Sequence, residues 1–261
     1  MITLDLTRPA RWRALAVALL GTLLVWANVR EAEVIEHYPP GIPAAARGRL
    51  VPLYQIDTAE RKLALTFDIS WGTQRNGPVL DVLKRYGVKA TFFLSGPWAK
   101  RYPEVVRRIA AEGHEVESHG HQHVDFSGLG RDQVVDNIRS AHAILKELTG
   151  RDPRFIRPPN GDFNDQSIEV GRELGYETVI WSADSIDWKN PGVDVITNRV
   201  LKLAHPGAIV LLHASDSCKQ TDQALPAILE GLQAKGYQFV LLEDLVKLGP
   251  PSVPTAVPEE E

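Results

Sequence analysis

Ala64-Leu65-Thr66-Phe67-Asp68-Ile69-Ser70-Trp71-Gly72 is the stretch that decides the fold. A short apolar run delivers a carboxylate and then breaks at Trp-Gly, the pattern of a buried strand ending in Asp68. In α/β architectures ligands gather at the carboxyl ends of strands, so this run predicts a rim that carries Asp68. Alone, Asp68 is better explained as a cap for the following turn or helix. The remaining strand ends must decide between the two.

Downstream the chain alternates between helical and extended patterns. Pro78 opens a helix with inner face Val79, Val82, Leu83 and Tyr86, stopped at Gly87. Ala90–Leu94 reads as a strand, Pro103–Gly113 as a helix, and His114–Ser118 as the lead into another rim loop. Helical spacing is clearest over Asp132–Leu148, with Gly150 as its stop, and His142 there is a solvated or packing residue. Strands follow at Phe155–Arg157, Thr178–Trp181, Ala208–Leu212 and Gln238–Leu242. Helices are predicted at Asp165–Leu174, Val193–Leu203 and Thr221–Lys235, with a short one reaching Leu248. Such alternation with short loops implies a parallel sheet, and a closed βα barrel is favoured over an open sheet. Leu50–Gln55 and Lys62–Phe67 flank Asp57-Thr58-Ala59-Glu60, which suggests a hairpin leading into the domain.

The 261 residues allow one large domain or two small ones, and 44% hydrophobic with 24% charged residues is an ordinary globular balance. Net charge of −4 excludes the basic footprint of a nucleic-acid binder. A single cysteine, Cys218, excludes an intrachain disulfide and a four-cysteine zinc site, so a metal here must be held by histidine and carboxylate. Residues 1–13 are a basic amino-terminal segment with Arg8, Arg11 and Arg13. The run 14–30 is almost wholly apolar, as in a secretory signal or a single membrane anchor. It is all-round apolar, Trp12 and Trp26 suit two interfaces, and no A-x-A site follows. An uncleaved transmembrane helix is therefore expected, with the rest of the chain outside the cytoplasmic face. Residues 31–49 read as a linker, 50–248 as the folded domain, and 249–261 as a disordered, Pro-rich acidic tail.

Four further segments bring chemistry to the expected rim. In Ser118-His119-Gly120-His121-Gln122-His123, His119 and His123 are four apart, so on a helical turn both imidazoles face one way, at a spacing suited to zinc. His121 points elsewhere, and a His-rich polar loop is the plain alternative. Arg157-Pro158-Pro159-Asn160-Gly161-Asp162 is a stiff loop, and an arginine beside Asp68 would keep that carboxylate ionised. A proline-rich turn with a surface arginine explains it equally well. Asp184-Ser185-Ile186-Asp187-Trp188 pairs acids with a Trp able to stack on a sugar, or holds a helix cap and a core Trp. His213 ends the Leu211-Leu212-His213 run, where it is either a general acid or a structural histidine.

Taken together these motifs resemble the polysaccharide deacetylase family, carbohydrate esterase family 4, also known for its NodB homology domain. The resemblance covers roughly 62–248. It lies nearest the sporulation-type, PdaB-like branch through Thr66–Gly72, Phe93–Trp98, Arg157–Phe163 and Leu211–Asp216. It implies a distorted (β/α)7 barrel and metal-dependent hydrolysis of N-acetyl groups on a cell-wall or spore-cortex glycan. By that analogy Asp68 is the general base, His119 and His123 hold zinc or cobalt, and His213 protonates the leaving amine. Asp187 tunes His213, and Arg157 tunes Asp68. A backbone N–H near Asn160 helps the oxyanion, Leu211 and Leu212 line the acetyl pocket, and Trp188 borders the sugar groove.

The typical motif of the family, Thr-Phe-Asp-Asp-Gly, has a third metal ligand where this chain has Ile69, and the usual Tyr of Arg-Pro-Pro-Tyr is Asn160. Two histidines fall short of the three ligands usual for catalytic zinc. Asp216, Asp125 or Asp162 are candidate replacements. Three readings follow: an active deacetylase, a catalytically silent glycan-binding barrel, and a tethered structural protein of the envelope.

Overall fold

The computed structural model describes residues 50–254. The apolar run 14–30, the linker 31–49 and residues 255–261 lie outside the described residues. Among the described residues no helix is long and apolar enough to cross a membrane.

Strand β2 (Lys62–Ile69) is the spine of the fold. It pairs in parallel with β3 (Thr91–Leu94) on one side and β8 (Ile209–His213) on the other. The path continues through β4 (Glu115–Ser118), β5 (Phe155–Ile156) and β6 (Glu177–Thr178) beyond β3, and through β7 (Ala183–Asp184) beyond β8. Short β9 (Gln238–Phe239) runs alongside the start of β2. Between consecutive strands lie α1 (Asn76–Tyr86), α2 (Gly96–Arg101), α3 (Pro103–Ala111), α4 (Arg131–Thr149), α5 (Asp165–Glu173), α6 (Val193–Leu203), α7 (Thr221–Ala234) and then α8 (Leu242–Leu245).

The ladder does not close. No pairing joins β6 to β7, so the expected closed barrel is a half-barrel of parallel strands. The segment read as one strand over Thr178–Trp181 breaks into β6 and β7 with no helix between them. The opening is spanned instead by the entering chain: Leu53 bridges Val179 in parallel, and Gln55 bridges Ala208 antiparallel.

The expected hairpin is therefore absent. β1 (Gln55–Ile56) pairs with β10 (Pro251–Ser252), because the Leu53–Ile56 backbone finds its partners on β6, β8 and the returning tail. This also corrects the tail, which begins with an ordered strand. The remaining boundaries fall within a few residues of the sequence reading, apart from α2, whose Ser95-Gly96-Pro97 entry carries too short an apolar pattern to register.

Strand alternation sorts β2 into two faces. Leu65, Phe67 and Ile69 pack outward with helix residues such as Leu83, Val200 and Leu229, whereas Ala64 turns inward with Phe93, Phe155 and Ile209. Both faces are buried, which explains the unbroken apolar sequence. The interior also carries carboxylates. Glu117 lies buried, and its Oε2 accepts the backbone N–H groups of Arg154 and Phe155 at 2.7 Å each, tying β4 to the start of β5.

Gly207 locks the closure. Its φ of +77° is left-handed, its carbonyl accepts the Ile56 N–H at 2.9 Å, and a Cβ there would stand 1.9 Å from the Ile56 carbonyl oxygen. Gly207→Ala must displace β1 as well as strain φ, so it is expected to lower stability by about 2–3 kcal/mol. An unchanged urea midpoint, followed by tryptophan fluorescence, would contradict this role for the closing segment.

Candidate active site

The carboxyl ends of β2, β4, β5, β7 and β8 open on one cleft of about 650 Å³, lined among others by Asp68, His119, His123, Asn160, Leu211 and His213. The rim anticipated from sequence exists, and most of its predicted residues converge there.

Asp68 is the centre. Its Oδ1 receives the Arg157 guanidinium at 2.8 Å, and its Oδ2 stands 3.7 Å from His119 Nε2. Burial alone would push this carboxyl up, but the Arg157 guanidinium first, with the imidazoles of His119 and His213 beside it, more than offsets this and holds Asp68 below its ordinary value. Arg157 is fully buried, donates a second hydrogen bond to the Ile180 carbonyl at 3.0 Å, and lies 4.2 Å from the centroid of the Phe93 ring. The proline-rich loop thus delivers an interior arginine, not a surface one.

His213 is the register partner of Asp68 on the adjacent strand, which sets the two side by side. Its Nδ1 lies 2.7 Å from Asp187 Oδ1. A carboxylate at this distance accepts, so Nδ1 carries the hydrogen and Nε2 is left for a substrate. Asp187 is itself fully buried, its Oδ2 accepting from the His213 backbone N–H at 2.8 Å and from Thr221 Oγ1 at 2.7 Å. Burial tends to lower the imidazole pKa, but the Asp187 carboxylate, with Asp68 and Asp184, raises it above 6.5.

His119 is prepared as a ligand. Its Nδ1 lies 2.8 Å from the Arg157 carbonyl, which can only accept, so the proton sits there and Nε2 presents a lone pair. Burial first, with the neighbouring His123, lowers its pKa to about 4, so the ring is neutral. His123 lies edge-on to it, ring centroids 5.2 Å apart. The pair does not share a helical turn as the spacing suggested. His119 follows β4, and Gly120 turns the chain with φ +71° before His123. His121 lies outside this cleft, beside Gln133 and Asn137.

The third donor is missing from this pair. Ile69 is fully buried among the outward-facing core side chains. Each candidate replacement already has hydrogen-bond partners in the fold. Asp216 accepts the N–H groups of Thr73, Gln74 and Arg75, Asp125 accepts from Asn160 Nδ2 at 2.8 Å, and Asp162 accepts from Ser127 N and Oγ. Among the described residues, three potential donors lie within 4.8 Å of one another only at Asp187, His213 and Cys218. Both Asp187 oxygens are engaged, and burial pushes the Cys218 thiol up to about 12, so that group is a poor receptor for an ion as it stands. Two imidazoles fit a divalent ion; the three-residue set of the typical motif is incomplete.

The other predicted contacts divide. Leu211 is on the cleft wall, but Leu212 is fully buried on the opposite face with the helices, because adjacent strand residues point apart. Leu212 therefore does not line an acetyl pocket. Asn160 sits at the cleft with φ +58°, and Trp188 borders it at 44% exposure. Trp71, Trp181 and Ser215 also line the cleft, beyond the residues expected from sequence. Trp71 carries a signal, standing in the opening motif beside Gly72.

Comparison with known proteins agrees with this geometry. The family model described as Polysaccharide deacetylase matches residues 55–179. A peptidoglycan-N-acetylglucosamine deacetylase of Bacillus cereus is 37% identical over 186 residues, covering 70% of this chain and 68% of that protein. The peptidoglycan-N-acetylmuramic acid deacetylase PdaA of Bacillus subtilis is 34% identical over 197 residues, 74% of each. Among solved structures, BA3943 of Bacillus anthracis, described as a CE4 family pseudoenzyme, superposes with TM-score 0.73 at 31% identity, covering 77% of this chain and 71% of that one. A mutant of that protein, described as having restored enzymatic activity, matches with the same TM-score at 32% identity, covering 77% of this chain and 73% of that one. With its half-barrel, its rim motifs and these relatives, the chain belongs to the polysaccharide deacetylase family, carbohydrate esterase family 4.

Proposed function

We propose that the protein is a metal-dependent hydrolase that removes N-acetyl groups from an envelope glycan of the peptidoglycan type. One observation carries the reading: an Arg157-paired Asp68 and an Asp187-paired His213 stand as register partners on adjacent strands, facing one cleft. Two titratable groups whose surroundings push them apart, the acid raised and the base lowered, are what acid–base hydrolysis of an amide requires.

His119 and His123 are the residues that would hold a divalent ion, zinc or cobalt by their imidazole donors. Bound there, the ion supplies Lewis-acid polarisation of the acetyl carbonyl and acidifies water. Asp68, kept ionised by Arg157, takes the proton from the attacking water at its Oδ2, the oxygen that Arg157 leaves open. His213 Nε2 gives a proton to the departing amine, and Asp187 steadies the imidazolium through Nδ1. Leu211 offers an apolar wall for the acetyl methyl, and the backbone around Asn160 is the candidate oxyanion donor.

The PdaB-like branch, a sporulation role and a spore-cortex substrate rest on motif wording. A tether over 14–30 with the domain outside the cytoplasm rests on the basic flank and the apolar run.

A second reading, a glycan-binding barrel without turnover, is favoured by the burial of Ile69 and by the likeness to a protein described as a pseudoenzyme. Acetate release decides. The full chain with added zinc is expected to release acetate from peptidoglycan and from N-acetylglucosamine oligomers. Chelator, Asp68→Asn and His213→Ala should each lower the rate about 100-fold or more. Glycan binding with no release by the parent protein would establish the silent barrel.

The pH profile tests the dyad separately. A raised His213 pKa keeps the acid protonated above pH 6.5, so the alkaline limb of kcat should lie above that value. Asp187→Asn removes the carboxylate charge and should move that limb to lower pH, with KM little changed. An unmoved limb would assign the acid elsewhere.

Ile69→Asp tests the incomplete donor set. An unpaired carboxylate at this buried position should cost about 3 kcal/mol without metal. Because β2 ends at residue 69, the new carboxylate can turn from the helix layer toward the histidine pair; zinc should then raise the Tm of the variant more than that of the parent, and titration calorimetry should give roughly tenfold tighter zinc binding. Equal zinc affinities would show that position 69 cannot reach the histidine pair.

A further inference from the structure

Trp71 stands at 72% exposure, the most exposed of the large apolar side chains among the described residues. Leaving an indole in water forgoes the stabilisation its burial would bring, and single exposed aromatics on mobile loops call for no explanation. This loop is held fast. The Asp216 carboxylate accepts the N–H groups of Thr73, Gln74 and Arg75 at 3.2, 2.6 and 3.1 Å, and the Asp216 N–H donates to the Trp71 carbonyl at 2.9 Å. The buried Trp98 indole donates to the Gly72 carbonyl at 2.7 Å, and the Ser70 N–H donates to Ser215 Oγ at 3.0 Å. Gly72, at φ +69°, leaves the space that the Asp216 side chain fills, since a Cβ there would lie 2.0 Å from Oδ2. Six backbone groups over six residues are thereby fixed beneath one exposed ring, and little of the backbone there is left to be ordered on binding.

Topology gives the ring a counterpart. The strand order β2–β8–β7 places the strand of His213 in the middle, with the Trp71 loop leaving β2 on one flank and Trp188 following β7 on the other. Both indoles border the cleft that holds Asp68 and His213. Two strand spacings separate their parent strands, roughly 10 Å, the scale of two linked sugar rings. A pyranose has a flat face of C–H groups that lies against an aromatic ring, the large apolar body with a polar tip that Trp offers.

From this we infer that Trp71 is a second sugar-stacking platform, on the far side of His213 from Trp188. The two indoles accordingly hold neighbouring sugar rings of a chain lying across the strand ends, with His213 between them. The inference rests on the glycan reading above and assigns the extent of its substrate.

Titration calorimetry of the full chain with the N-acetylglucosamine tetrasaccharide and with the monosaccharide tests it, with no need for turnover. Trp71→Ala is expected to weaken tetrasaccharide binding roughly tenfold and to leave monosaccharide binding unchanged, with Trp71→Phe retaining most of the affinity. Because the ring is exposed, the variants should keep the parent circular dichroism spectrum. Parent-like tetrasaccharide binding by Trp71→Ala would overturn the platform and leave the glycan reading standing. Absence of binding to either sugar by the parent would overturn both.

Discussion

The buried ion pair between Arg157 and Asp68 is the constraint on which the rest of the site depends. Two charges at 2.8 Å, both nearly or wholly withdrawn from water, are tolerable only while each satisfies the other. Removing either partner would leave an uncompensated buried charge, at a cost of about 3–5 kcal/mol. Arg157 must therefore come from the start of the proline-rich loop, where the ladder from β4 holds its backbone through the Ser118 carbonyl at 2.9 Å. Its own carbonyl then fixes the tautomer of His119. One arginine, through its guanidinium, its carbonyl and its backbone N–H, thus joins Asp68, His119 and the β5 strand end into a single rigid unit.

The rim is built the same way elsewhere, with a carboxylate orienting each functional group from behind. Asp187 positions His213, and Asp216 positions the loop that bears Trp71. This explains why Asp216, attractive from sequence as a stand-in ligand, is committed to backbone amides. Free N–H groups at the entry to α1 need acceptors, and no side chain at the cap position supplies one. Ile69 belongs to a different layer, packed with the helices behind the rim, and its replacement of an acidic residue exchanges a donor for core packing.

Much of this was legible in sequence because parallel strands buried on both faces leave continuous apolar runs that end abruptly in chemistry, as at Phe67-Asp68 and Leu212-His213. Local patterns could not report non-local pairing. The Leu53–Ile56 segment reads as half of a hairpin, yet its partners are about 125 to 200 residues away in the chain. The family resemblance assigns both Leu211 and Leu212 to the acetyl pocket, but the period of two sends Leu212 to the helix side. His119 and His123 meet through a glycine turn instead of a helix, so the pairing was right and its cause was not. Glu115 and Glu117, in the His114–Ser118 segment leading into the rim loop, are buried because Thr91, the Glu243 amide and the Arg154 and Phe155 amides engage their carboxylates.

The pairing of β1 with β10 brings the first and last described strands together, and the contact of Gln55 with Ala208 sets that junction at the start of β8, the end opposite His213. The polypeptide therefore enters and leaves the fold on the face away from the cleft. A fold wired this way is a pendant unit: it can be mounted from either terminus, or spliced into a longer chain at one point, without re-aiming its working face.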